Sequence, residues 1–172
     1  MKMKKSAWLG VVLFLLAAMI LPAAVVGAKG AATVEFAGKE YLVALLVPGD
    51  LSEPGGNFHG RNREWLALEE ADNSCVTGES LVTSNMNINK HGKEHAWGKW
   101  VIEPVGYEGT WETTWRSQGD YIYAAGHGTG VFRGMTIKFT FYGGGVDENG
   151  DEYMSYTGSI HVPPNAQVQC ES

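Results

Sequence analysis

Gly109-Thr110-Trp111-Glu112-Thr113-Thr114-Trp115 and Thr136-Ile137-Lys138-Phe139-Thr140-Phe141-Tyr142 decide the fold of this chain. Before them stands Trp97-Gly98-Lys99-Trp100, and between them Gly126-His127-Gly128-Thr129-Gly130-Val131-Phe132-Arg133-Gly134-Met135. Aromatic and β-branched residues alternate with polar ones, and glycines or polar clusters break the runs at short intervals. That is the pattern of consecutive antiparallel strands. Side chains alternate between the two faces of a strand. Trp100 and Ile102 therefore oppose Lys99, Val101 and Glu103, and Trp111, Thr113 and Trp115 oppose Thr110, Glu112, Thr114 and Arg116. Met135, Ile137, Phe139 and Phe141 oppose Thr136, Lys138, Thr140 and Tyr142, the clearest half-buried strand in the chain.

The same reading extends outward. Upstream, Ala32-Thr33-Val34-Glu35-Phe36 is a short strand. Residues 41–47 form a continuous apolar run ended by Pro48-Gly49-Asp50, which predicts a buried strand. Residues 51–60, with Pro54, Gly55, Gly56 and Asn57, read as an exposed loop. Residues 61–70 read as a strand, and Ala71-Asp72-Asn73-Ser74 carries turn chemistry. Residues 81–89 alternate, with Val82, Met86 and Ile88 on one face. Downstream, the Asn-Gly pair in Asp147-Glu148-Asn149-Gly150-Asp151 signals a hairpin. A last strand over 153–162 puts Met154, Tyr156, Ile160 and Val162 together, and Pro163 and Pro164 end it.

About eight short-linked strands, with no helix after residue 28, predict an all-β domain over residues 29–172. A single antiparallel up-and-down barrel fits best, because hairpin-length turns join successive strands and closure removes exposed edges. A sandwich is the alternative.

Residues 1–28 read as a secretory signal peptide: Lys2, Lys4 and Lys5, an uncharged apolar run over 9–21, Pro22, then small residues before a cut at Lys29. An uncleaved anchor is the alternative, and would be the chain's one membrane attachment. The expected location is secreted or periplasmic. Removing the three lysines takes the formal charge from −6 to −9. With Arg61, Arg63, Arg116 and Arg133 scattered, no basic stripe offers itself to nucleic acid. Cys75 and Cys170 are the only cysteines, and an even count in an exported chain predicts one bridge; two unrelated thiols are the alternative.

Three motifs invite chemistry and fall short of it. The glycines at 126, 128, 130 and 134 do not match a dinucleotide fingerprint, and a strand rather than a helix follows them. They fit a strand face that shrinks from Ile122 through Ala124 so that large side chains pack over its backbone. His91, Glu94 and His95 sit in a loop without a third metal ligand. Asp147, Asn149 and Asp151 start like a calcium loop, but Glu152 stands where it requires Gly and Gly158 where it requires Glu. Glu103 and Glu112 point outward. No nucleophile elbow or phosphate loop occurs, and neither a metal nor a cofactor is expected.

Asn85-Met86-Asn87, Trp97-Gly98-Lys99-Trp100, the Gly109 to Trp115 run and the Gly126 to Met135 run resemble an uncharacterised group of small exported bacterial β-proteins. Its signatures are Asn-x-Asn, Trp-Gly-x-Trp, Trp-Glu-Gly-x-Trp and Gly-x-Gly-x-Gly-x-Tyr-x-Gly-Leu. This chain departs from them at Thr113, Phe132 and Met135. More distantly it resembles the barrels of allene oxide cyclase and dirigent proteins, which hold apolar small molecules and steer ring closure or radical coupling. That resemblance implies a barrel and carries over no catalytic residue.

The expected function is an exported barrel binding a small apolar molecule, because small barrels can enclose one ligand. The candidate interior residues are Trp100, Trp111, Trp115, His127, Phe139 and Tyr156. The alternatives are a surface-interaction module without ligand and a barrel enzyme of the cyclase or isomerase kind. The deciding observation is whether the interior is open or filled.

Overall fold

The computed structural model describes residues 30–170. The expected signal peptide, residues 1–28, lies outside them. Nine strands follow one another: β1 (Ala32–Val47), β2 (Asp50–Ser52), β3 (Phe58–Ala71), β4 (Gly78–Ile88), β5 (Glu94–Pro104), β6 (Trp111–Gln118), β7 (Tyr121–Gly128), β8 (Thr136–Val146) and β9 (Glu152–Val162). From β3 onward each strand pairs with the next; β9 pairs back with β1, and β1 with β3. The ring of β1 and β3 to β9 is a closed, antiparallel, up-and-down barrel of eight strands. Closure leaves no full-length edge, which resolves the choice against a sandwich. Short β2 continues the line of β1 along β3, with Leu51 opposite Gly60.

β1 joins two stretches that read separately in the sequence. Gly38 lies between them, and a Cβ there would sit 2.6 Å from the Tyr156 hydroxyl and from the Glu70 carbonyl. The glycine lets the strand run on beneath a tyrosine from its neighbour. The C-terminal half of β1 corrects an expectation: residues 41–47 are a strand but not a buried one, with Leu42 45%, Val43 60% and Leu46 52% exposed. Past the Tyr41–Tyr153 pair, β1 parts from β9 and keeps only β3 as a neighbour. Register shifts after Leu42 and Leu45 also break its alternation. The expected loop over 51–60 is a loop in its middle only, where Pro54–Gly56 makes a single 3-10 turn.

One end of the barrel is filled. Phe139 is at its centre, with ring centroids of Trp100 at 4.4 Å, Phe36 at 5.2 Å and Tyr156 at 5.4 Å. Such pairs each add about 0.5–1.5 kcal/mol beyond burial of their area. Below them Ile102, Trp111, Ile137 and Ile160 are wholly buried. The glycine-rich run supplies the plug: after β7 it makes a 3-10 turn, Gly130–Phe132, whose Phe132 ring stacks on Trp111 at 4.7 Å. Along β7 the shrinking face lets two strands meet closely, since a Cβ on Gly126 would lie 2.6 Å from the Thr113 Cα. The tail after β9 folds back across this end, packing Ala166 and Val168 on the core. It is tied there by a Cys75–Cys170 disulfide with Cα atoms 5.6 Å apart.

Candidate functional site

The other end is open. Inward positions of β4, β5 and β6 carry Ser84, Ala96 and Ser117, too small to meet across the barrel. The result is a cavity of about 540 Å³. Its walls are largely apolar or aromatic: Leu42, Trp65, Val82, Met86, Trp115, Ile122, Phe141 and Met154, with Trp100 beside the filled half. A second recess, about 970 Å³, lies outside, where β1 parts from β9, and shares Leu42, Trp65, Gly144 and Met154 with the first. It is the larger of the two, but exposed residues such as Val43 and Val146 border it. The inner cavity is the better-formed site, because concave enclosure is what buries a ligand.

Two carboxyls mark the depth of this cavity. Glu40 on β1 and Glu69 on β3 are directly opposed in register, and both point into the barrel, 6% and 0% exposed. Glu69 Oε1 accepts a hydrogen bond from Ser80 Oγ at 2.6 Å and one from Trp100 Nε1 at 3.1 Å. Burial pushes Glu69 well above the carboxylate range; the Glu40 charge pushes it further, and these hydrogen bonds oppose both only in part. The Tyr156 hydroxyl is close enough to favour the Glu69 carboxylate, yet neither Tyr156 Oη nor Glu69 Oε2 completes a hydrogen bond of good geometry. Burial, then the charges of Glu69 and Glu40, push the Tyr156 phenol upward, so it stays protonated.

Glu40 lines the cavity itself. Among the described residues no hydrogen bond or ion pair reaches its carboxyl, and burial alone pushes it up to about 7. The pair thus keeps a proton to a far higher pH than two exposed carboxyls would. Nearer the rim, Arg63 lays its guanidinium over the Trp65 ring, 5.0 Å from the centroid, and its buried Nε has no partner.

The candidate residues from the sequence divide three ways. Trp100 and Trp115 line the cavity. Phe139, Tyr156 and Trp111 are interior but belong to the filled half, and Trp111 Nε1 donates to the Cys75 carbonyl oxygen at 2.7 Å. His127 is a correction: its side chain is 67% exposed on the outer wall, 3.8 Å from Glu112. Ala124, Gly126 and Gly128 take the inner face of β7, so alternation sends His127 outward. Thr113 is inside but spends its hydroxyl on the Trp100 carbonyl, at 2.8 Å.

Glu40 and Glu69 were missed, although alternation was there to find them. Continued from Val34 and Phe36 through Gly38, the inward phase of β1 falls on Glu40; from Trp65 and Ala67 it falls on Glu69.

The remaining motifs are structural. Asn85 Oδ1 accepts from the Asn62 backbone N–H at 3.1 Å, where Asn62 takes φ +52° at an irregularity in the β3–β4 ladder. Asn87 Oδ1 accepts from Arg61 Nη2 at 2.8 Å, and the Arg61 guanidinium lies over Trp97, whose other neighbour is the His95 ring. Asp147 Oδ1 accepts backbone N–H groups of Asn149 and Asp151 at the tip of the β8–β9 hairpin.

Neither a protein-family model nor a curated protein sequence matches the chain. Among solved structures it is similar to two pterocarpan synthase dirigent proteins. To PsPTS1 it is 12% identical, over 78% of this chain and 97% of that one, with a TM-score of 0.43. To GePTS1 it is 13% identical, over 83% and 97%, with a TM-score of 0.45. No residue, substrate or activity of theirs is transferred to this chain.

Proposed function

We propose that the chain is a small-molecule-binding barrel whose open half takes a mainly apolar ligand. The observation that supports this is the cavity of about 540 Å³ walled by Trp65, Trp115, Phe141, Val82 and Met154. Sites for small molecules typically have about this volume, with apolar walls and a few polar groups. A ligand-free interaction module would need no such void beside a packed core. Export fits the reading, since the Cys75–Cys170 bridge suits an oxidising compartment. The Trp-Gly-x-Trp and glycine signatures favour kinship with small exported bacterial β-proteins.

The test is native mass spectrometry of protein isolated from its source, with tryptophan fluorescence during titration by alkyl and aryl probes. One retained or added molecule per chain, with quenching or a spectral shift from the cavity tryptophans, is expected. Ala96→Phe, which fills the mouth, should weaken binding at least tenfold. No retained mass, and no spectral response to any probe, would sink the reading.

One observation favours a second reading, a cyclase or isomerase. A buried acid that holds a proton beside an enclosed cavity is what general acid catalysis requires, and Glu40 meets that description. Conversion of a component of source-cell extract that is lost in Glu40→Gln would support it. Equal conversion by both proteins would remove it.

A further inference from the structure

We propose that the ligand is an apolar amine, bound as its ammonium form with the cationic group seated on Glu40 and its apolar body against Trp100, Trp115 and Phe141. This rests on the ligand-binding reading and specifies the chemistry of the same cavity.

The inner end of the cavity presents the Glu40 carboxyl. No described residue hydrogen-bonds or ion-pairs with that carboxyl, and behind it, outside the cavity lining, the Tyr156 hydroxyl lies against the Glu69 carboxyl. Ser80 Oγ and Trp100 Nε1 donate to Glu69 Oε1, and the protonated Tyr156 hydroxyl faces the same carboxyl, so none of the three serves Glu40. A buried carboxyl without partners costs stability unless something supplies opposite charge and hydrogen bonds. An ammonium group supplies both, with up to three N–H donors. A hydroxyl supplies one donor and no charge. Indole rings add attraction, since a cation within about 6 Å of such a face gains from the ring quadrupole.

The groups facing Glu40 leave this role open. From β3 come Glu69, at the same level, and Arg63, which stands three inward positions nearer the rim with its guanidinium on Trp65. From β9 comes the Tyr156 phenol, which stays neutral. From across the barrel come Trp100, Trp115, Ile122 and Phe141, none of which titrates. Glu94 and Asp120 line the outer part of the cavity and favour entry of a cation. Arg63 is the one charge that favours an anion instead, so an anionic probe belongs in the test.

The experiment titrates purified oxidised protein with octylamine, octanol and octanoate by isothermal calorimetry at pH 8 and pH 5. At pH 8 octylamine should bind at least tenfold tighter than either of the others. Only the ionised Glu40 carboxyl attracts the ammonium strongly. With that group titrating at about 7, the amine should lose roughly 100-fold in affinity from pH 8 to pH 5, and octanol much less. In Glu40→Gln, amine and alcohol should bind within about threefold of each other at both pH values. The wild-type pH dependence stands as a second readout if that variant folds poorly. Octanol binding as tightly as octylamine at pH 8 would overturn the amine while leaving ligand binding intact. Octanoate binding tightest would do the same and move the anchor to Arg63. An absence of heat with all three would overturn both readings.

Discussion

Replacing Glu40 by Gln should flatten the dependence of stability on pH. In the folded barrel, burial lifts the Glu40 carboxyl from its ordinary 4.5 to about 7. Between those values the folded chain holds a proton that the unfolded chain has released. The folded state therefore binds more protons across that window, and stability falls as pH rises from about 4.5 through 7. At about 1.4 kcal/mol per pH unit, a shift of that size is worth about 3 kcal/mol, most of it lost between pH 5 and pH 8. Glu69 contributes with the same sign, because burial and the Glu40 charge both raise it. Glu40→Gln removes the first contribution outright and weakens the second by removing a neighbouring charge. The assay is urea unfolding of the oxidised protein, followed by tryptophan fluorescence, at pH 5, 6, 7 and 8. Wild type should lose about 2–3 kcal/mol more than the variant across that range. The comparison is between slopes, because a buried amide carries its own pH-independent desolvation cost. Curves for the two proteins that run parallel within about 0.5 kcal/mol would refute the assignment of Glu40 as a buried, proton-holding group.

Four further tests probe the barrel's core and wall. Reducing the Cys75–Cys170 bridge, whose cysteines are 95 residues apart, should cost about 4–5 kcal/mol in the chain-entropy picture, read from urea midpoints with and without reductant. Phe139→Ala, at the centre of the aromatic cluster, should cost about 3–5 kcal/mol by the same measurement. Gly126→Ala should cost about 1–3 kcal/mol, because its Cβ has no room against β6, whereas Gly143→Ala, with open space around it, should be within about 0.5 kcal/mol of wild type. His127→Ala should change neither urea midpoint nor probe affinity, its side chain being outside the barrel.

The architecture was legible because it rests on alternation and turns, which are local. Met135, Ile137, Phe139 and Phe141 all point inward as their spacing predicts, and the Asn149-Gly150 hairpin stands where its dipeptide puts it. The site was less legible for two physical reasons. Alternation says which side chains point inward, but not whether they meet across the ring: Trp111 and Trp115 read alike, and one packs fully while the other borders a void. The carboxyls were hidden by context. Gly38 made β1 read as two pieces, and Glu40 fell in the apparent gap. Glu69 stood next to Glu70 in what looks like a solvated acidic pair, although alternation separates them, one into the barrel and one to the outside. The exposure of residues 42–47 was invisible for the complementary reason: an apolar run reads as buried, whereas its surroundings depend on where β9 stops pairing with β1.

The double engagement of β1 also orders assembly in time. Tyr41 pairs with Leu68 on one side and with Tyr153 on the other, so one neighbour follows promptly in the chain and the other arrives with its last strand. Local hairpins can zip from β3 to β8 early, but the ring cannot shut until β9 reaches back across nearly the whole sequence, and such distant pairings form slowly. Until then Glu40 has a wall on one side only, and the void it borders has no existence. A nascent or truncated chain lacking β9 would carry β1 as an open apolar edge, ready to pair with another chain. Pocket formation and protection from aggregation are therefore the same event, completed by the last strand.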